Sequence, residues 1–196
     1  MPSQVLVALV LGGATFTMSI PIGMKLAGRE PAFIAGLGFS AGPRGSLWAW
    51  FAAVLLAFGY VFFCIQRIPE VAGHWHTLSW LKALSVIAAI AAGIVEEGIF
   101  RRLIMDGVAR IGGSTLIQIA VSAVAFGIAH GTWGFLGGSL HAAISAAGAT
   151  TVLGAGLAMV YVMGGRSLAP CIVAHFLIDS VIEPGLLLSA ASGFHA

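Results

Sequence analysis

The stretch Leu81–Phe100, LKALSVIAAIAAGIVEEGIF, is apolar over the length of a helix and then carries two adjacent carboxylates, Glu96 and Glu97, with Arg101 just beyond. Its nine Leu, Ile, Val and Phe residues each favour membrane insertion by roughly 0.3 to 0.6 kcal/mol, whereas an acidic side chain at mid-helix opposes it by roughly 2.5 to 3.5 kcal/mol. The two glutamates cancel the apolar gain, so the segment must satisfy them internally, by pairing, protonation or a wet cavity. An ionisable group at membrane depth is costly enough to point to function. Two histidines, His130 and His175, lie within later apolar stretches.

Composition extends this reading to the whole chain. The 196 residues are 59% hydrophobic and 8% charged, with a mean hydropathy of +1.03, far from the roughly 45 to 50% apolar and roughly 25% charged of soluble domains. The fold class expected is an all-α, polytopic membrane bundle with the lipid bilayer as its surroundings. A net charge of +2 without a basic run is too small and too dispersed to suggest a nucleic-acid surface, so no nucleic acid is expected among the partners. Cys64 and Cys171 fall in separate spans and read as buried small apolar residues, not a disulfide or metal pair. The N-terminal Gln4–Ile20 lacks a basic leader and an Ala-x-Ala-like cleavage site, and reads as a retained first span.

About 20 apolar residues are needed per span, which predicts six: Gln4–Met24, Leu47–Ile65, Leu78–Ile99 with a helical extension to Arg110, Thr115–Ala129 or somewhat beyond, Ala142–Met163, and Leu168–Ala190. Pro31–Ser40 is too short to span and reads as interfacial or re-entrant. Gly112–Gly113 and Gly164–Gly165 predict tight turns between antiparallel helices. With no internal repeat, low-complexity tract or long linker, residues 1–196 form a single membrane domain. Gly127 with Gly131, Gly134 with Gly138, and Gly148, Gly154 and Gly156 read as close helix packing. Seven Lys or Arg in the odd-numbered loops against Arg67 and Lys82 in the others predict that both termini lie outside.

The third and fourth spans form a hairpin about the Gly112–Ser114 turn, which brings His130 level with Glu97, each about 25 Å from the turn at 1.5 Å per residue. Glu97 and Arg101 are i,i+4 neighbours and can pair, while Glu96 is rotated about 100° from Glu97. Glu97 then reads as structural and Glu96 as chemical. His175 and Asp179 are a second i,i+4 pair in which the carboxylate can fix an imidazole tautomer, and Glu183 continues that ridge before Pro184 ends or bends the helix. His141 reads as packing or interfacial. His74 and His76 around Trp75, with Trp80, Trp48 and Trp50, read as an aromatic interfacial belt in preference to a metal site.

The quartet Glu96, His130, His175 and Asp179 arises on three spans at depths that can converge. Hydrolytic chemistries sort against it. No His-Glu-x-x-His string exists for a zinc protease. An aspartyl pair would need Asp106, which lies near a turn, together with Asp179, and Ser139 is a weak candidate nucleophile. A carboxylate and imidazoles acting on water remain.

Glu96-Glu97-Gly98-Ile99-Phe100-Arg101 resembles the Glu-Glu-x-x-x-Arg motif of the CAAX protease and bacteriocin-processing (CPBP, abortive-infection) family of glutamic-type intramembrane endopeptidases. Phe126-Gly127-Ile128-Ala129-His130 resembles its Phe-x-x-x-His motif, and His175-Phe176-Leu177-Ile178-Asp179 its His-x-x-x-Asn/Asp motif. The resemblance covers roughly residues 85 to 183. It implies a CAAX-protease-like catalytic core at about 78–190, with accessory helices at about 1–77, and a protein or peptide substrate in or at the membrane. It also implies an integral, multi-pass protein of a bacterial or archaeal cell membrane.

By position, the resemblance makes Glu96 the general base with His130 holding the water, and His175, positioned by Asp179, the oxyanion stabiliser. Glu97, Arg101 and Phe126 become structural or tuning residues. Members that trim prenylated proteins carry Asn where this chain has Asp179, and an aspartate donates only if protonated. No cofactor is expected; zinc on Glu96, His130, His175 and Asp179 is the minority alternative. Two other classes are kept beside the protease: a non-catalytic bacteriocin-immunity or self-protection protein on the same scaffold, and a proton-coupled transporter, which the lack of an inverted repeat disfavours.

Overall fold

The structure, a computed structural model, describes residues 45–136 and 139–192 together with Gly13. The expected first span and the short Pro31–Ser40 piece lie outside the described residues. The helices are α1 (Leu47–Arg67), α2 (Pro69–His74), α3 (Trp80–Glu97), a π-helical segment (Gly98–Met105), α4 (Asp106–Arg110), α5 (Thr115–Leu136), α6 (Leu140–Met163) and α7 (Ala169–Ser192). The described residues contain no strand. The all-α class is as expected, and four helices (α1, α5, α6 and α7) are long and apolar enough to cross a membrane. Helix α3, the third expected span, carries Lys82, Glu96 and Glu97 within 18 residues.

The side chains are sorted as lipid, not water, would sort them. On α1 the small Ala49, Ala53, Ala57 and Cys64 are buried, while Trp48, Phe51, Leu55, Phe58 and Phe62 are exposed. Among the described residues Glu97, Arg101, Gln118, Ser122 and His175 are all buried. Large apolar groups outside and polar groups inside suit a helix surrounded by hydrocarbon, where small residues let backbones approach and polar groups bond one another.

The two glycine turns form as predicted, and their hydrogen bonds show why. Gly112 has φ +84°; its N–H donates to Ala109 O and that of Gly113 to Val108 O. Gly165 has φ +64°, with its N–H on Val162 O and that of Arg166 on Tyr161 O. Both are Schellman caps, which need a left-handed residue after the last helical turn. Serines begin the helices: Ser46, Ser79, Ser114 and Ser139 each accept from a backbone N–H three residues on, the N-cap geometry. The Ser139 hydroxyl is thereby engaged in capping α6.

Two helices carry features beyond their expected extents. The third span continues as helix to Arg110 as expected, but its pitch widens to a π-helix over Gly98–Met105, with the N–H of Asp106 donating to Arg101 O five residues back. Pro184 does not end α7, which runs through it to Ser192.

The described residues fall into two compact units: Gly13 and Ala57–Val95 with those from Ile172 onward, and residues 45–56 with Glu96–Cys171. In the first, Gly185 of α7 lies so close to α2 that a Cβ would sit 2.8 Å from Val71 Cα. In the second, α5 and α6 are the tightest pair: a Cβ on Gly127 would meet Thr151 Oγ1 at 1.9 Å and Ala147 O at 2.6 Å, and one on Gly131 would meet Ala147 Cβ at 3.0 Å. Cys64 and Cys171 are buried free thiols, as expected.

Candidate active site

Glu96 and Glu97 end α3 and so sit at the entrance to the π segment, with Glu96 facing α5 across the hairpin. In the second unit Glu96 Oε2 lies 3.6 Å from His130 Nε2, each side chain 28% exposed. The hairpin arithmetic set His130 level with Glu97, and the imidazole meets Glu96. Glu97 is turned away and pairs with Arg101 at 3.0 Å, with neither side chain exposed.

Arg101 builds the frame behind that pair. Its Nη2 donates to Gly154 O at 3.2 Å, and its guanidinium carbon lies 5.0 Å from the centre of the Phe126 ring. Phe100 packs edge-on against the same ring at 5.0 Å, and His130 lies 4.4 Å from it. Phe126 is fully buried and is the surface on which Phe100, Arg101 and His130 converge. Its ring thus explains the apolar residue four positions before the histidine.

The Phe126 backbone also sets the imidazole. His130 Nδ1 lies 3.0 Å from Phe126 O, and a carbonyl can only accept, so Nδ1 carries the proton and Nε2 is presented to Glu96. At 3.6 Å the two groups are too far apart for a direct hydrogen bond and close enough for one water to touch both.

In the first unit His175 Nε2 lies 3.1 Å from Asp179 Oδ2, with 1% and 15% of the side chains exposed. Gly93 of α3 lies against this part of α7: a Cβ there would be 3.4 Å from Ile172 O and 3.7 Å from His175 Cβ. Asp179 accepts, so Nε2 of His175 carries a proton.

Asp106 belongs to a separate cluster. It accepts from Arg102 at 3.3 Å, from the Tyr161 hydroxyl at 3.2 Å and from Arg166, tying the end of the π segment to the turn after α6. Arg166 holds a left-handed φ of +65° within these contacts.

Sequence reasoning missed two residues that the frame uses. Gly154, read as ordinary packing, supplies the carbonyl for Arg101 and leaves room for Phe126, whose Cβ would be 3.1 Å from a Cβ there. Ser122, unremarked, is buried and donates to Phe100 O at 2.9 Å. Its one sequence signal is position: it precedes Phe126 by four residues and His130 by eight, on the same face of α5.

Among the described residues no group of three His, Cys, Asp or Glu side chains is gathered as a metal would need; of the four residues named for the zinc alternative, one unit pairs Glu96 with His130 and the other His175 with Asp179.

A family model described as type II CAAX prenyl endopeptidase Rce1-like matches residues 78–181, just over half of the chain. No curated protein and no solved structure matches it.

Proposed function

Since the chain belongs to the Rce1-like family of type II CAAX prenyl endopeptidases, we propose that it hydrolyses a peptide bond near the end of a membrane-associated or prenyl-modified protein, using water activated by Glu96 and His130. The observation that carries this reading is the 3.6 Å pairing of Glu96 with His130, whose Nδ1 proton is committed to Phe126 O. A water between them gives one hydrogen to the Glu96 carboxylate and the other to the Nε2 lone pair, which leaves its own lone pairs for a substrate carbonyl. Glu96 takes the proton as water attacks, and the protonated acid then delivers it to the leaving amine.

The third motif gives His175 and Asp179 the oxyanion role. Asp179 accepts from Nε2–H of His175 at 3.1 Å, which holds the imidazole in orientation for that role. Aspartate in this position supplies charge to the histidine where asparagine would supply an amide donor.

Glu96→Gln should lower the rate on a peptide ending in a farnesylated cysteine and three further residues by about 10²- to 10⁴-fold, and His130→Ala comparably. His175→Ala should cost about 10²- to 10³-fold. The variants should elute from gel filtration in detergent as the parent does. Full cleavage by both Glu96→Gln and His130→Ala removes the mechanism. A comparison of protein termini in membranes from the parent and Glu96→Gln strains by mass spectrometry names the substrate, since its uncut end accumulates in the variant. An immunity strain fully protected by the Glu96→Gln chain would favour binding over catalysis.

A further inference from the structure

We infer that Ser122 is a positioning residue for the reaction: its hydroxyl, bonded to Phe100 O, locks the π segment against α5 in the register that opposes Glu96 to His130. The inference rests on the Glu96–His130 reading above and concerns a residue that none of the three motifs includes.

The geometry begins with where Ser122 bonds. Hydroxyls in apolar helices commonly return to their own backbone, as Thr150 does to Ala146 O, Thr151 to Ala147 O and Ser180 to Phe176 O. Ser122 instead reaches a carbonyl 22 residues away at 2.9 Å, fully buried. A carbonyl inside an α-helix already accepts the N–H four residues on. In a π segment it is offered to the N–H five residues on through a wider turn, so it is more open to a second donor. The Phe100 carbonyl lies within Gly98–Met105, and it points along the helix toward the level of Ser122.

Register follows. Glu96 precedes Phe100 by one turn, and His130 follows Phe126 by one turn, so in an antiparallel pair the Phe100–Phe126 contact at 5.0 Å and the Glu96–His130 contact at 3.6 Å belong to one alignment. Ring packing alone tolerates sliding and rotation, because dispersion contacts carry little direction. A buried hydrogen bond does not, because either partner left unmade carries its desolvation cost. Ser122 therefore supplies the directional contact, and Phe126 the bulk, on one face of α5. If the bond is lost, the π segment can relax toward α-helical pitch and re-aim the glutamates that precede it.

Two measurements test this. With the farnesylated peptide as probe, Ser122→Ala should lower kcat about 10- to 100-fold with KM within about twofold, since misplacing a reacting group by about 1 Å costs on that order. Ser122→Cys, close in size but a weak donor, should fall between Ser122→Ala and the parent, and Thr150→Val, which removes a hydroxyl bonded only within α6, should match the parent. Amide exchange across residues 98–105, followed by mass spectrometry, should quicken about tenfold or more in Ser122→Ala. If Ser122→Ala does not fold, Ser122→Cys must show both effects at reduced size. Exchange that does not change overturns the inference whether or not the peptide is cleaved, as does an unchanged kcat beside an inactive Glu96→Gln. An active Glu96→Gln would instead remove the reading of the site on which it rests.

Discussion

Arg101 is the largest fully buried side chain among the described residues, and its surroundings account for a guanidinium in so apolar a chain. Glu97 neutralises it at 3.0 Å, Gly154 O accepts from it, and the Phe126 ring covers its face. A planar, delocalised cation is the one basic group that can stack on a ring and bond a carboxylate and a carbonyl at once. Glu97→Gln or Arg101→Met alone should each cost about 3 to 5 kcal/mol, since each leaves the other charge buried without its counter-ion, and the double variant should cost less than either. Thermal unfolding in detergent measures this, and a double variant as unstable as the two singles combined would show that the pair is not coupled. The pairing was legible in the i,i+4 spacing of Glu97 and Arg101. Gly154 was not, because its partner is 53 residues away and nothing local marks a backbone carbonyl as an acceptor.

At the level of elements, α5 and α6 are held together by what their glycines lack. Gly127→Ala should destabilise the protein by about 1 to 3 kcal/mol through overpacking, and Thr151→Ala should rescue it only in part. Removing the Thr151 hydroxyl clears the obstacle at 1.9 Å and leaves the Ala147 carbonyl at 2.6 Å. Full rescue, read from the midpoint of thermal unfolding, would show that the backbones are free to separate. The Gly127–Gly131 spacing announced this contact. The π segment had no such announcement: Gly98–Met105 differs from its α-helical surroundings in hydrogen-bond pitch, and the groups it contacts, Ser122, Phe126 and Gly154, lie outside it. Pro184 is the converse case. Its ring predicts that the helix ends or bends there, and α7 continues through it to Ser192, with Gly185 packed closely on Val71.

For the whole molecule, four long apolar helices with exposed Trp, Phe and Leu suit a membrane protein of the Rce1-like CAAX endopeptidase family. Ser46 donates to Met163 O at 2.9 Å and Arg166 contacts Asp106, so within the second unit the start of α1, the turn after α4 and the turn after α6 share one side. These are the odd-numbered loops, where most of the Lys and Arg lie. The bias predicts that this side is cytoplasmic: Ile111→Cys, at a position 85% exposed, should react with an impermeant maleimide only from inside, and Leu78→Cys, at 93%, only from outside. The opposite labelling would reverse the topology. The sequence by itself determined the membrane class, the all-helical fold, the glycine turns, the two ion pairs four residues apart and the family, because each depends on composition or on neighbours within one or two turns. Tertiary structure alone decided that His130 meets Glu96 and not Glu97, that a π segment follows the glutamates, and that Ser122 and Gly154 support it. Those outcomes depend on helix rotation and on backbone atoms of distant segments, and backbone atoms are alike in every residue.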